Sequence, residues 1–186
     1  MLKVFDFIND LSCTRRWSQA HCLKNESVLE HTAFVAVYSL YLCKKYNIEA
    51  EAVLEKALVH DMEEVIIGDI PSVTKYKDED LLCHIKSAEI DAAIEISDTI
   101  FYSQMFTSWS NAKNLSTLSG QIIAVADCAA VVYKIWQEVQ FGSKYFLKFT
   151  KTVSLTLEKL SHNVCYDLKE EIFTLTKILG KLDEDS

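Results

Sequence analysis

Apolar residues fall at helical spacing along nearly the whole chain. Val4, Phe5, Ile8 and Leu11 recur at three- and four-residue intervals, which predicts a short amphipathic helix ending near Cys13. After the basic, aromatic segment Arg15-Arg16-Trp17, the run Ser27-Val28-Leu29-Glu30 fits a capping box, in which the Ser and Glu side chains take up free amides of a helix's first turn. That places His31 in the first turn or so of a helix reaching to about Lys45. A third helix is expected from near Ala50 through Leu54, Ala57, Leu58, Met62 and Val65 to Gly68, a residue suited to a left-handed C-terminal cap. His60, Asp61 and Glu64 lie on its last turns. Pro71, the only proline, biases Ile70 away from helix, so Asp69-Ile70-Pro71 reads as a stiff loop.

Leu81 to about Ile100 reads as another helix, followed by a segment from Ser103 to Leu118 whose Ser, Asn and Thr content predicts irregular structure. From Ser119 to about Val139 the chain is apolar nearly all round, the mark of a helix buried in the core, with Asp127 in its middle. Phe146 to Leu160 and Leu168 to Leu179 close the chain as two amphipathic helices. An acidic tail, 183–186, is expected to fray. Four Gly and one Pro in 186 residues are too few for the turns of an all-β fold, and 49% hydrophobic residues suit one full-sized core. The expectation is an all-α helical bundle, a single domain over 1–182.

Charge narrows the partners. A net charge of -8 repels a polyanion, so polymeric nucleic acid is not an expected ligand, whereas a small anion in a locally positive, metal-containing pocket is compatible with it. The six cysteines include no C-x-x-C pair, the usage of a reducing cytoplasm. No secretory signal is recognisable at the N-terminus, and apolar runs such as Thr32 to Cys43 fall short of the roughly 18 residues that span a bilayer. A cytoplasmic protein without a membrane partner is expected.

An Asp inside an apolar helix has to be paired, protonated or bound to a metal, because a lone buried carboxylate is costly. Asp127 therefore needs a partner, either a buried hydrogen-bond donor or an ion. His60-Asp61 offers ligands for an ion: adjacent residues project about 100° apart and two can approach one cation near a helix end. The doublet alone is a weak signal. Glu64, four residues after His60, lies one turn along the same face, within reach of a metal-held water, although a solvated glutamate is equally compatible; its neighbour Glu63 reads as solvated. Asp69 adds a carboxylate at the same mouth or is a plain turn residue. His31 is a further ligand candidate or a boundary histidine, and His21, His84 and His162 read as surface residues. Arg16-Trp17 joins a guanidinium fork to a flat ring, which suits phosphate and base of one nucleotide and equally a surface cation packed on a core Trp. Lys75, just past Pro71, is in reach of a phosphate at the same opening.

The order of these pieces resembles the HD-domain superfamily: a His on an early helix, a His-Asp doublet on the next and a distant Asp on a late buried helix. Arg15-Arg16-Trp17, Val28-Leu29-Glu30-His31-Thr32, His60-Asp61-Met62-Glu63-Glu64, Gly68-Asp69-Ile70-Pro71 with Lys75-Tyr76, and Ala126-Asp127 look like the bacterial 5′-deoxynucleotidase family over about residues 11 to 145. The resemblance implies an HD-domain helical bundle with one divalent ion, of the Co²⁺, Mn²⁺, Zn²⁺ or Fe²⁺ type, on His31, His60, Asp61 and Asp127. It implies that Glu64 handles the attacking water, that Asp69 assists departure of the ester oxygen and that Arg16 and Trp17 hold a deoxynucleotide. Ser18-Gln19-Ala20-His21 and Ser72-Val73-Thr74 depart from the family pattern. Similar compact HD enzymes, some from bacteriophages, release triphosphate from deoxynucleoside triphosphates such as dATP, with Mg²⁺ accompanying such a substrate. The expected activity is phosphate release from deoxynucleoside monophosphates; a triphosphohydrolase and a non-catalytic nucleotide-binding module are the alternatives. Related enzymes assemble as homo-oligomers, which is the expectation here.

Overall fold

The computed structural model describes residues 2–101 and 104–184. Its helices are α1 (Leu2–Cys13), α2 (Val28–Lys45), α3 (Glu51–Val59), α4 (Glu64–Ile67), α5 (Ser72–Lys75), α6 (Glu79–Ile96), α7 (Gln104–Ala112), α8 (Leu118–Gln140), α9 (Thr150–Ser161) and α10 (Tyr166–Glu184). The all-α, single-domain expectation holds. One small antiparallel ribbon was not foreseen: β1 (Arg15–Arg16) pairs with β2 (Glu26–Ser27), Arg15 opposite Ser27 and Arg16 opposite Glu26.

Ser27 starts α2 as the S-x-x-E spacing predicts. Its hydroxyl accepts from the Glu30 amide at 3.2 Å, and the Glu30 carboxylate accepts from the Ser27 amide at 2.8 Å. The centre of the molecule is α8, which packs against α2, α3, α7, α9 and α10. Ile122, Val125, Ala126, Ala129 and Ile135 are buried, and the alanines let neighbouring helices approach closely. By length and composition α8 could cross a bilayer, but it is enclosed by the other helices as a core helix. Its less buried stripe is Ala124, Asp127, Cys128 and Val131. At its start Gly120 is indispensable: a Cβ there would lie 2.1 Å from the carbonyl oxygen of Asn114.

Two other features bind distant segments to this scaffold. Lys134 and Glu138, one turn apart on α8 and 2% and 0% exposed at the side chain, form an ion pair at 2.7 Å. Glu138 also accepts from the amides of Leu23 and Lys24 at 2.8 and 3.0 Å, and Lys134 donates to the Lys24 carbonyl, so the loop between β1 and β2 is fastened to α8. A second core cluster of Phe7, Leu11, Val28, Val59, Met62, Ala93, Ile96 and Trp109 joins α1, α2, α3, α6 and α7.

Several boundaries differ from the sequence reading. The third helix does not run unbroken to Gly68. It stops at Val59, tightens through bonds of Met62 to Val59 and Glu64 to Asp61, and resumes as α4, ending at Gly68 with φ of 75°. The segment expected to be irregular from residue 103 contains α7, because Met105, Phe106, Trp109 and Ala112 recur at helical spacing and Trp109 and Ala112 are buried while the polar residues lie between them. Only the connector from Lys113 to Thr117 is irregular, and Ser103 itself lies outside the described residues. Of the tail expected to fray, Asp183 and Glu184 belong to α10, and Asp183 accepts from the Thr150 hydroxyl at 2.9 Å; Asp185 and Ser186 lie outside the described residues.

Candidate metal centre

Three segments converge beside the middle of α8. His31 comes from the first turn of α2, His60 and Asp61 from the tight turn after α3, and Asp127 from the middle of α8. The Nε2 atoms of His31 and His60 lie 3.3 Å apart. The Asp61 Oδ2 atom is 3.3 Å from His31 Nε2 and 3.2 Å from His60 Nε2, and Asp127 Oδ1 is 3.2 Å from His31 Nε2. Ligand atoms of His31, His60 and Asp127 all fall within 4.8 Å of one another. Bonds of about 2.0–2.1 Å place two neighbouring donors on one ion roughly 3–3.4 Å apart, which is the spacing of the four pairs above. The donor set fits a divalent cation.

The second nitrogen of His60 explains why its ring points this way. Nδ1 donates to the Ala57 carbonyl at 2.7 Å, which fixes the tautomer with the Nε2 lone pair aimed at the centre. His31 is 1% exposed at its side chain, whereas Asp127 is 45% exposed, so the centre is closed behind the histidines and open along α8. The charges favour a cation at this point. Burial and the Arg16 charge oppose protonation of His31, yet the carboxylates of Asp127 and Asp61 outweigh them and push it up to about 9. Burial resists ionisation of Asp61 and Asp127, but the imidazoles hold Asp61 well below the usual carboxylate range and lower Asp127 as well.

Around this core the other expected residues take distinct places. Arg16, at the end of β1, sets Nη1 3.2 Å from Asp61 Oδ2 and 3.7 Å from Glu64 Oε2. Its Nε and the Glu64 Oε2 are buried polar atoms lacking a hydrogen-bond partner. Burial and the nearby Asp61 charge push the Glu64 carboxyl up to about 9. Asp69 accepts from the backbone N–H of Trp17 at 3.1 Å. Trp17 itself holds φ of 59°, its indole N–H donates to Glu26 at 3.0 Å and its ring packs on Phe146 and Phe149 at centroid distances of 5.4 and 5.5 Å. Lys75, on α5, is paired with the buried Glu89 of α6.

Glu63 corrects the sequence reading. It is 2% exposed, accepts from Trp109 Nε1 at 2.6 Å and pairs with Lys113. Its distant partners left no mark on local spacing. Lys134 and Glu138 were also missed, although a Lys and a Glu one turn apart inside an apolar helix are a readable sign of a buried pair.

Residues 3–174 match the family model described as 5′-deoxynucleotidase YfbR-like. A 5′-deoxynucleotidase of Vibrio vulnificus is 27% identical over 161 residues, covering 82% of this chain and 83% of its own. An HD-domain phosphohydrolase of Listeria innocua superposes with a TM-score of 0.71 at 23% identity, covering 100% of this chain and 99% of its own. The cyanophage S-2L HD phosphohydrolase DatZ, solved with dA and one catalytic Zn²⁺ ion, gives 0.64 at 16% identity over 95% and 96%. The two structures share the fold, and the family match takes in every residue of the converging cluster and its surroundings: this chain belongs to the YfbR-like 5′-deoxynucleotidase family.

Proposed function

We propose that His31, His60, Asp61 and Asp127 hold one divalent ion, and that around it the protein hydrolyses the phosphate ester of 2′-deoxynucleoside 5′-monophosphates. Membership of the family makes the chain a metal-dependent phosphohydrolase. The observation that carries the assignment of residues is the meeting of two imidazole Nε2 atoms and two carboxylates, from three separate segments, within 3.3 Å of a neighbour. Two nitrogen and two oxygen ligands suit Zn²⁺, Co²⁺, Mn²⁺ or Fe²⁺. A bound ion of this kind supplies Lewis-acid chemistry, drawing charge from the phosphoryl group and making water a nucleophile at neutral pH.

The chain's own residues do the rest. The Ala57 carbonyl orients His60, and Arg16 keeps Asp61 in place while presenting further N–H donors to a phosphate oxygen. Glu64, buried beside Asp61, is ionised once a bound cation offsets the Asp61 charge that helps raise its carboxyl in the metal-free protein, and it then takes the proton of the water whose oxygen forms the new bond to phosphorus. As the bond from phosphorus to the 5′-oxygen breaks, Asp69 passes a proton to that oxygen, giving deoxynucleoside and orthophosphate. Trp17, fixed by Asp69 and Glu26, lines the nucleoside side of the opening. A formal net charge of -8 favours such a small ligand over a nucleic-acid polymer.

Release of intact triphosphate from a deoxynucleoside triphosphate such as dATP is the second reading. The fold shared with the cyanophage protein, which was solved with dA, favours it. Phosphorus-31 NMR of products from deoxynucleoside mono- and triphosphates, with chelated and Zn²⁺- or Mn²⁺-reloaded protein, tests both. Metal-dependent orthophosphate from monophosphates is expected. Triphosphate as product selects the second reading, and no product from any substrate overturns both.

A further inference from the structure

Glu63 stands between Asp61 and Glu64, in the one stretch where α3 and α4 fail to join as a single helix. The turn there is held by Met62 to Val59, Glu64 to Asp61 and Val65 to Met62 hydrogen bonds, each spanning three residues and of poorer geometry than α-helical bonds. Its side chains divide. His60, Asp61 and Glu64 meet the His31 and Arg16 side chains at the centre, while Met62, 1% exposed, enters the smaller core cluster and Glu63, 2% exposed, reaches across to α7.

At α7 the two carboxylate oxygens of Glu63 have separate partners. Oε2 accepts from Trp109 Nε1 at 2.6 Å, and Oε1 pairs with Lys113, whose ammonium also lies 4.9 Å from the centroid of the same indole. An apolar side chain would fill this space without the desolvation of a charge. Directional bonds add what an apolar plug lacks, a fixed rotation of the turn about its own axis.

We propose that Glu63 is a positioning residue for the metal centre: bound to Trp109 and Lys113, it locks the rotation of the His60–Glu64 turn on α7 and so sets the aim of His60, Asp61 and Glu64. The proposal rests on the reading of His60 and Asp61 as metal ligands. Groups that orient metal ligands change metal affinity or activity by about 10- to 100-fold when removed.

The test compares variants with the wild-type protein for Zn²⁺ affinity by chelator competition, for kcat and KM on a deoxynucleoside monophosphate, and for Tm. Glu63→Ala is expected to weaken Zn²⁺ binding and lower kcat by about 10- to 100-fold each, with KM little changed. Glu63→Gln, which still accepts from the indole, is expected to recover most of both; if it recovers neither, the proposal is overturned. Trp109→Phe keeps the ring and removes the donor, and serves if Glu63→Ala does not fold; Zn²⁺ binding weakened several-fold is expected. Wild-type Zn²⁺ affinity and kcat in Glu63→Ala, or in Trp109→Phe where the former does not fold, overturn the proposal, even if Tm is lower. His60→Ala separates the two claims. If it keeps Zn²⁺ and turnover, the metal-centre reading fails; if it loses both while Glu63→Ala loses neither, the clamp alone is rejected.

Discussion

The backbone N–H of Trp17 is fastened to the carboxylate of Asp69, 3.1 Å away, which joins the loop after α4 to a residue held at φ of 59°. Asp69 is an acceptor in the structure and, in the proposed mechanism, also an acid. Asp69→Asn keeps an acceptor oxygen and loses the proton, so kcat is expected to fall by about 10²- to 10⁴-fold with Tm nearly unchanged. Asp69→Ala is expected to lose in addition about 1.5–3 kcal/mol, the worth of a hydrogen bond to a charged group, measured by urea denaturation.

Glu64 carries the proton of the attacking water in the proposed mechanism. Glu64→Gln is expected to lower kcat by about 10²- to 10⁴-fold while leaving the metal in place by elemental analysis. His60→Ala and Asp61→Ala are expected to lose metal and turnover together. An active His60→Ala protein after dialysis against chelator would contradict the ligand assignment.

The metal-free protein should lose stability as pH rises. His31 is raised from 6.5 to about 9 by Asp127 and Asp61 against burial, and Glu64 from 4.5 to about 9 chiefly by burial. Both groups bind more protons folded than unfolded, so their contribution is greatest at low pH and declines as pH rises toward 9. Tm of chelated protein is expected to fall from pH 6.5 to 9. Added Zn²⁺ should raise Tm and remove the decline, because the ion takes the place of those protons.

The Lys134–Glu138 pair predicts the opposite sign. Burial opposes ionisation of Glu138, but Lys134 and the amides of Leu23 and Lys24 prevail and lower its pKa. Its stabilisation is present above the ordinary glutamate range and lost as pH falls through the depressed value. Glu138→Ala, which strands a buried ammonium, is expected to cost about 3–5 kcal/mol at pH 7 by urea denaturation.

The centre was legible in the sequence because its signals are local or compositional: an Asp in an apolar helix, a His-Asp doublet, a capping box that seats His31. The family likeness supplied their convergence, which spacing alone does not give. What stayed hidden depends on contacts across the chain. The break after Val59 carries no Gly or Pro, α7 was masked by its polar residues Thr107, Ser108, Ser110 and Asn111, of which Ser108 is buried and bonded to Glu55, and Glu63 is bonded to residues 46 and 50 positions away.

Gly120 has one more effect. Seven residues, two helical turns and about 10.5 Å separate it from Asp127 on the same rigid rod. The absent methyl lets that rod seat against the Asn114 carbonyl, and the seat acts as a depth stop for the carboxylate further along. Alanine there would push the near end of the rod outward, so that a change remote from the converging side chains would be read as a misplaced Asp127 carboxylate.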